Sequence, residues 1–391
     1  MGPQEKGITM KKIILVLISA LVWHWSGVPV RAQQHSRPQT FQVPSDRFPT
    51  IQSAINFAAA GDRIRIAPGV YNETLTINKR ITVTGSGARG ERRTEIVGPR
   101  PIEFVPLDRA IGVVNYQPGG GGKIESLLIR GGGGAGILGV AIEERFPAPL
   151  EVKQVIIHQG VRGIAGSFSD LSVGETKVAA MTWHGVSIVQ ATGKSTLFDS
   201  LIELCLGVGY FSTGADVSLL NDTFGANAGG GILVNGAGVV EVNKCYLYAN
   251  RIAGIRLKNV SLAGLGHNLI KLTQPRKSDG AWGDGIIAEC SDHVLVYQDS
   301  QNFALDFLPP GIEDSARAGI SSFGSKVTLT NVKFECNSIE LDQEDGSFFG
   351  CPDHPASFDD GGGNVCGCDG ATVACQPKSS NLAPPDDLTQ P

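Results

Sequence analysis

The sequence predicts an all-β solenoid, in which short strands stack coil upon coil. Three observations lead to this class. Gly makes up 51 of 391 residues, while aromatic residues are 7% and charged residues 18%, a balance that suits many tight turns between short strands. Within short runs, apolar residues alternate with polar residues one by one, as in half-buried strands. Similar turns recur 22 or 23 residues apart, which is typical of a repeat architecture.

Residues 1–32 predict a secretory signal peptide. They contain a basic start at Lys11, an apolar run from Ile13 to Trp23, and small residues at Val30 and Ala32. A membrane anchor is the alternative, but the run is shorter than the about 20 residues that a span needs. We therefore expect cleavage near Ala32, a secreted protein that is extracellular or periplasmic, and no transmembrane segment in the mature chain.

A polar linker, residues 33–49, precedes one short amphipathic helix. Apolar residues recur at helical spacing between Thr50, the predicted N-cap, and Gly61, the predicted stop. Such a helix would cover the exposed strand edge of the first coil.

The next stretch, "GDRIRIAPGVYNETLTINKRITVTGSG" at residues 61–87, changes to a period of two. Apolar pairs begin at Ile64, Leu75 and Ile81, so each run offers one face for burial. Turn residues such as Pro68 and Asn78 separate the runs. Because three strands this short do not make a stable sheet alone, further coils must stack on them.

An internal repeat in the middle of the chain predicts those coils. Phe224 and Leu247 are 23 residues apart, as are Asn227 and Asn250. A leucine-rich repeat has a similar period, but this chain lacks its leucine frame and shows three strand-sized runs per period. A parallel β-helix fits better. It places Asn227 and Asn250 at equivalent turns of adjacent coils, where their amides hydrogen-bond along the stack, and it predicts about ten coils.

Residues 50–87 resemble the opening of the right-handed parallel β-helix, pectate lyase-like superfamily. In that superfamily a helix caps the first coil and a Gly-Asp, Pro-Gly-x-Tyr, Glu sequence follows; here these residues are Gly61-Asp62, Pro68 to Tyr71, and Glu73. The resemblance implies a single-stranded right-handed parallel β-helix over residues 50–341, with an N-terminal capping helix. It implies much less about chemistry, because one fold hosts many functions.

Eight cysteines in an exported chain predict disulfides, whose pairing the sequence leaves open. Most lie near the C-terminal end, so residues 342–376 predict a Cys-rich cap over the last coil. Zinc bound by these cysteines with His354 is the alternative, but paired Cys-x-x-Cys knuckles are missing. Residues 377–391, rich in Pro and Asp, predict a disordered tail. The cysteines are Cys205, Cys245, Cys290, Cys336, Cys351, Cys366, Cys368 and Cys375.

Four stretches break the repeat: residues 141–152, 167–185, 271–285 and 297–319. In a solenoid such insertions map to loops on one face, often the binding face. The third stretch combines charges with an aromatic ring, which suits a sugar-binding cleft. A solvated polar loop with one anchoring Trp is the alternative. The catalytic candidates are Arg276, Lys277, Asp279 and Asp284, and the substrate-binding candidates are Trp282 and Trp183.

A β-elimination lyase would use an Arg or Lys as its base and calcium to neutralise a uronate. Calcium is the one cofactor that the chain suggests, through carboxylates near the C-terminal end, although neither cluster has EF-hand spacing. The calcium candidates are Asp342, Glu344, Asp345, Asp359 and Asp360.

The catalytic motifs of related enzymes are mostly absent. The sequence from Pro68 to Glu73 resembles pectin methylesterases, but their later motifs are missing, and the polygalacturonase motifs do not occur in order. With a formal net charge of −5 and no Lys/Arg cluster, the chain is not expected to bind nucleic acid. We expect a monomer that binds polysaccharide or another extracellular polymer along its solenoid face. The alternatives are a polysaccharide lyase or glycoside hydrolase acting on an acidic uronate polysaccharide, and a structural cell-surface spacer.

Overall fold

The computed structural model describes residues 37–98, 111–131, 135–139, 147–189, 193–298, 310–346, 351 and 355–386. The predicted signal peptide and its cleavage site near Ala32 lie outside these residues. Within these ranges, no helix has the length and apolar character needed to cross a membrane.

Nearly all regular structure in the described part is β-strand, and one helix lies near the N-terminal end. In chain order the elements are β1 (Thr40–Val43), α1 (Ile51–Phe57), β2 (Arg63–Ile66), β3 (Gly69–Tyr71), β4 (Leu75–Ile77), β5 (Arg80–Thr84), β6 (Thr94–Val97), β7 (Gly112–Tyr116), β8 (Gly121–Glu125), β9 (Leu128–Arg130), β10 (Ala135–Gly139), β11 (Leu150–Lys153), β12 (Ile156–His158), β13 (Arg162–Gly166), β14 (Leu171–Gly174), β15 (Lys177–Ala179), β16 (Val186–Val189), β17 (Lys194–Phe198), β18 (Leu201–Glu203), β19 (Tyr210–Thr213), β20 (Asp216–Leu220), β21 (Thr223–Gly225), β22 (Ile232–Asn235), β23 (Val239–Asn243), β24 (Tyr246–Tyr248), β25 (Ala253–Lys258), β26 (Leu262–Gly266), β27 (Leu269–Lys271), β28 (Asp284–Glu289), β29 (His293–Tyr297), β30 (Gly311–Glu313), β31 (Ala318–Phe323), β32 (Lys326–Thr330), β33 (Phe334–Glu335), β34 (Ile339–Glu344) and β35 (Ser357–Asp360).

Strands that are three apart in chain order pair in parallel, which makes three long sheets. Sheet A has 13 strands, β1, β2 and then every third strand from β5 to β35; sheet B has 11, from β3 to β33; and sheet C has 11, from β4 to β34. One strand from each sheet forms a coil, and coils 1 to 11 run from β2 to β34. The predicted parallel β-helix of about ten coils is confirmed.

The predicted capping helix is confirmed, together with the residues that hold its N-terminus. The Thr50 side chain accepts the Ser53 N–H at 3.1 Å, and the Ser53 side chain accepts the Thr50 N–H in return. The Glu73 carboxylate accepts the N–H groups of Ile51 and Gln52, both at 3.0 Å. Because these N–H groups have no partner within the helix, the Glu of the superfamily-like sequence acts here as a helix cap.

Two local predictions at this end are corrected. Residues 40–43, expected in the linker, form β1, because Phe41 and Val43 alternate with polar residues and face the core. Their strand pairs in register with β2. Gly69, expected with Pro68 at a turn, begins β3 of sheet B, because the parallel partner β6 lies alongside.

Each coil turns three corners, and single residues in the left-handed region make the first two. At the first corner, between sheets A and B, φ lies between 49° and 57° in eight coils. These first-corner residues are Ser126, Gln154, Glu175, Asp199, Asn221, Lys244, His267 and Asn331. The second corner, between sheets B and C, has its own set: Gln159, Ala180, Leu204, Ala226, Ala249, Leu272, Asp314 and Cys336.

The predicted asparagine stack is confirmed at the second corner. The Asn227 side-chain amide and backbone N–H both donate to Asn250 Oδ1 at 3.1 Å. Asn227 Oδ1 in turn accepts the backbone N–H of Cys205 at 3.1 Å. Both asparagines are almost fully buried, so these bonds satisfy polar groups that water does not reach.

The cysteines form three disulfides in the described part of the chain, and two remain as thiols. Cys205 and Cys245 are free and buried at ladder positions, so the prediction that they form disulfides is wrong. Every cysteine of the predicted cap is in a disulfide, which removes the thiolates that a zinc site needs; His354 lies outside the described residues. The pairs are Cys290–Cys351, Cys336–Cys368 and Cys366–Cys375.

The C-terminal end differs from the predicted disorder. Residues 378–386 lie against the outer face of sheet C, and we call this segment the strap. Its backbone hydrogen-bonds to Glu344, Arg317 and Arg256. Composition misses this contact, because main-chain groups that every sequence carries make these bonds.

The thiols provide a first prediction. Alkylation of the native protein without reductant should modify neither Cys205 nor Cys245, because both are buried and burial raises the pKa of the Cys205 thiol to about 12. After denaturation, peptide mass mapping should find both alkylated and the other six cysteines paired as above. Either thiol found in a disulfide would contradict the structure.

A second prediction concerns the pH dependence of stability. Asp222, buried at the first corner of coil 7, accepts the N–H groups of Ser200 at 2.8 Å and Leu220 at 3.1 Å. Burial raises the pKa of its carboxyl to about 7. The carboxyl of an unfolded Asp has a pKa near 3.9. Between about pH 4 and about pH 7 the folded state therefore binds a proton that the unfolded state has lost. Stability contributed by this group is therefore present at low pH and lost as the pH rises from about 4 to about 7, by at most about 1.4 kcal/mol per unit.

We expect Asp222→Asn to remove that slope, since Asn268 already occupies the equivalent ladder position two coils further on. The measurement is the free energy of unfolding in denaturant at pH 5, 6, 7 and 8, with the exposed Asp369→Asn as control. An unchanged slope in Asp222→Asn would argue against a buried, raised carboxyl.

Candidate functional site

The four predicted insertions do not share one face. Residues 167–185 belong to an ordinary coil that contains β14 and β15, so the prediction of an insertion here is wrong. The strands of this coil lack the glycine turns by which the repeat was recognised. Of the stretch 141–152, residues 141–146 are outside the described part, residues 147–149 precede β11, and residues 150–152 belong to that strand. Residues 272–283 lie between β27 and β28, and residues 298–310 between β29 and β30, of which 299–309 are not described.

Three of the predicted site residues come together in the loop 272–283. The Arg276 guanidinium lies 3.9 Å from the ring centroid of Trp282. Its Nε donates to Asp279 Oδ1 at 3.0 Å, and this pairing lowers the pKa of the Asp279 carboxyl to about 2. Arg276 contacts both Trp282 and Asp279, so the three side chains bind one another. The segment is therefore a polar loop anchored by its tryptophan.

The other two catalytic candidates do not join this cluster. Lys277 is exposed at the tip of the loop. Asp284 is fully buried on β28, where it accepts Arg317 Nε at 2.9 Å and the Ser321 hydroxyl at 2.9 Å. Burial raises the pKa of the Asp284 carboxyl against the opposing effect of Arg317. The five residues from 276 to 284 therefore do not form one catalytic cluster.

Trp183 does not join Trp282 in one platform. Both lie at the second corner, but in coils 5 and 9, about 19 Å apart along the stack. The Trp183 ring packs 4.7 Å from the ring of His184, whose imidazole in turn stacks on Phe211 at 5.2 Å. Burial lowers the pKa of His184 to about 3, so this imidazole is neutral.

The calcium candidates occupy two separate places. Asp342 and Glu344 lie on β34, where N–H groups of the strap donate to their carboxylates. Asp345 follows them and is exposed. Asp359 and Asp360 lie on β35: Asp359 is 3.6 Å from Lys326 Nζ, and Asp360 accepts the Gly362 N–H at 2.8 Å. Calcium binding here stays a prediction.

In the described ranges, the one close group of three residues of metal-ligating type is Cys336, Cys368 and Asp369. Its two cysteines are bonded to each other, which leaves a single ligand.

A different feature stands out on the outer surface of sheet B, which we call the sheet B face. Side chains here line up in two rows, because every strand pairs in register with the next. The first row runs through Arg130, His158, Ala179, Glu203, Gly225, Tyr248, Lys271, Glu313 and Glu335. The second runs through Glu95, Leu128, Ile156, Lys177, Leu201, Thr223, Tyr246 and Leu269.

Two tyrosines form an aromatic platform at the middle of the sheet B face. Tyr246 and Tyr248 point outward on either side of buried Leu247, with ring centroids 5.0 Å apart and planes 23° from parallel. Gly225 lies beneath one ring, since a Cβ there would be 2.3 Å from Cζ of Tyr248. The missing side chain therefore lets the Tyr248 ring lie against the neighbouring strand while it stacks on Tyr246.

Charged pairs flank the platform on both sides. On one side Lys177 Nζ lies 2.6 Å from Glu203 Oε1, and on the other Lys271 Nζ lies 2.9 Å from Glu313 Oε2. The hydrogen bond to Glu313 raises the pKa of Lys271, so this amine is charged. Such half-exposed pairs contribute little to stability. They do present N–H donors and carboxylate acceptors on a regular spacing of one coil.

A cavity of about 880 Å³ lies at the N-terminal end of the same face. Glu95, almost fully buried, lies 3.0 Å from Nε of both Arg93 and Arg130. This carboxylate fixes the orientation of two half-exposed guanidinium groups at the cavity wall, and one positive charge is left over. Arginine held in this way suits hydrogen bonding to hydroxyl or acidic groups.

Sequence reasoning missed the sheet B face, although one signal for it exists. The run Tyr246-Leu247-Tyr248 alternates, and the 23-residue repeat aligns Phe224 with Leu247, so both tyrosines are predicted outward. The same alignment puts Gly225 beside Tyr248. The charged pairs that flank the tyrosines cannot be predicted in this way, because outward-facing residues need not repeat from coil to coil.

Comparisons with known proteins agree in fold at low identity. No family model matches the chain, and no curated protein matches it significantly. Several solved structures are similar, including an epimerase module, a glucanase and a phage tailspike protein. The mannuronan C-5 epimerase AlgE4 A-module of Azotobacter vinelandii is 14% identical, with a TM-score of 0.49, over 81% of this chain and 83% of that one.

The thermostable GH87 α-1,3-glucanase catalytic unit of Streptomyces thermodiastaticus is 12% identical, with a TM-score of 0.43, over 83% of this chain and 66% of that one. Tailspike protein 3 of bacteriophage CBA120 is 12% identical, with a TM-score of 0.43, over 80% and 57%. At these scores the likeness carries no argument about function.

The platform provides a third prediction. In Gly225→Ala the added methyl group must lift the Tyr248 ring from the sheet, because the Cβ would otherwise overlap it. We expect faster nitration of Tyr248 by tetranitromethane, followed by peptide mass spectrometry. The rate at Tyr297, on sheet A, should not change. Equal rates at Tyr248 in the variant and the parent protein would show that its ring does not rest on Gly225.

Proposed function

We propose that this chain binds a polysaccharide along the sheet B face and that it does so outside the cytosol. The observation that carries the proposal is the pair of outward tyrosines, Tyr246 and Tyr248, set between charged pairs one or more coils away. Flat aromatic faces suit the apolar faces of sugar rings, and the flanking donors and acceptors suit their hydroxyl groups.

The geometry favours an extended polymer over a compact ligand. The two rows run along the solenoid axis with one side chain per row every 4.8 Å or so. From the Arg93 cavity to Lys271 the face spans coils 2 to 9, about 34 Å. A chain of sugar rings could follow such a path, whereas a single sugar would use one part of it.

Catalysis is not part of the proposal. The lyase alternative depended on an assembled cluster from Arg276 to Asp284, and the structure separates Asp284 from the others. A purely structural spacer is the remaining alternative, and it is distinguished by the absence of polymer binding. Export is supported by three disulfides in the described chain, which form in oxidising compartments.

The test is retention in affinity gels containing neutral or acidic polysaccharides. We expect the parent protein to be retarded by at least one polymer of the panel and Tyr246→Ala or Tyr248→Ala to bind it about tenfold more weakly, as expected for the loss of one stacking ring. The matched control is Tyr297→Ala, which removes a half-buried tyrosine of sheet A.

Equal retention of the Tyr248→Ala and Tyr297→Ala proteins would place the binding elsewhere. No retention on any polymer would favour the spacer. Release of unsaturated sugars or new reducing ends during the same incubations would return the lyase or hydrolase alternatives.

A further inference from the structure

The strap runs across sheet C from coil 11 back to coil 8. It begins where Lys378 pairs with Asp342 on β34. It ends where the carbonyl groups of Pro385 and Asp386 meet Arg256 on β25. The strap therefore covers four coils on a different side of the solenoid from the sheet B face.

Side chains of sheet C bind the main chain of the strap. Glu344 Oε1 accepts the N–H groups of Ser380 at 2.9 Å and Leu382 at 3.0 Å. Arg317 Nη1 donates to the Ala383 carbonyl at 2.9 Å. Arg256 Nη2 donates to the Pro385 carbonyl at 2.8 Å. Acceptors and donors thus match the N–H and C=O groups of the strap in order, and Asn381, with φ at 55°, turns the two N–H groups beside it toward one carboxylate oxygen.

The two binding arginines keep their orientation through pairs that do not involve the strap. Arg256 makes a two-point contact with Glu289, at 2.5 and 3.2 Å. Arg317 Nε donates to Asp284 at 2.9 Å. Because these two charges are already paired, they stay compensated when the strap leaves, and this part of the groove is built before its ligand arrives.

One apolar site completes the groove. Leu382 packs against a buried cluster of Ala253, Ile287 and Phe323 on neighbouring strands of sheet C. Two residues further on, Pro384-Pro385 favours an extended conformation, which lowers the entropy lost on docking. The groove therefore fits a segment with a turn, one apolar side chain after it and then prolines.

We propose that the outer face of sheet C in coils 8–11 is a docking groove for a proline-containing peptide, and that the strap is the ligand it holds in the free protein. A peptide of another protein with the same pattern competes with the strap for the same side chains. This interaction is separate from polysaccharide binding, since it uses another face.

The first experiment tests whether the strap is docked in solution. Ser380→Pro removes the N–H that donates to both Glu344 and Asp342, while Ser380→Ala keeps it. By hydrogen-exchange mass spectrometry we expect the strap amides of the parent protein and Ser380→Ala to exchange at least tenfold more slowly than in a free peptide. In Ser380→Pro this protection should fall about tenfold or more. A parent strap that exchanges like free peptide would overturn the proposal.

The second experiment tests recognition in trans with a fluorescent synthetic peptide of residues 377–386. We expect saturable binding to full-length Ser380→Pro, and binding at least tenfold weaker to the parent protein, whose groove is occupied. Adding Arg256→Lys, which keeps a cation beside Glu289 but loses the forked donor, should weaken the peptide about tenfold.

No binding to Ser380→Pro at millimolar peptide would overturn the proposal, as would equal binding with and without Arg256→Lys. Retention of all three proteins on the polysaccharide gels should be unchanged. This readout separates a failure of the groove from a failure of the sheet B face.

Discussion

Parallel hydrogen bonding between coils, held in one register from end to end, is the constraint on which this molecule depends. It is helped by corners of one kind, and eight coils share a left-handed residue at the first corner. Residues such as Glu175, Lys244 and His267 accept the left-handed conformation there, which costs about 1–2 kcal/mol for a residue with a Cβ. The hydrogen bonds to both neighbouring coils offset that cost, so a corner residue is stable only as part of the stack. Side-chain ladders, such as Asn227 on Asn250, add to the same register.

Fixed register also decides where function can lie. It turns each outward position into a row that runs along the solenoid, so a few substitutions change a long surface without touching the core. On sheet B such rows place Tyr248 over Gly225 and bring Lys271 beside Glu313. On sheet C they bring Arg256 and Glu344 to one side of the molecule, where the strap lies. The open face suits a polymer and the covered face suits a peptide, although both are built from the same coil.

The sequence predicts the features that repeat. Alternation, the spacing from Asn227 to Asn250 and the sequence around Glu73 are enough for the fold, the coil number and the capping helix. Features that do not repeat are harder to predict from the sequence. Cys205 looks like a disulfide partner until its place in the asparagine stack is known. The Arg276 to Asp284 cluster looks continuous, but β28 begins within it and carries Asp284 into the sheet. The strap depends on main-chain contacts, which leave no trace in composition.

The central claim is that a polymer lies over the tyrosines of the sheet B face. Hydroxyl-radical footprinting with peptide mass spectrometry tests it most directly, using the polysaccharide that is retained best. Bound polymer should protect Tyr246 and Tyr248 from oxidation several-fold, after normalisation to Tyr297 on sheet A, which should be unaffected. Equal oxidation of all three tyrosines in the presence of bound polymer would contradict the claim.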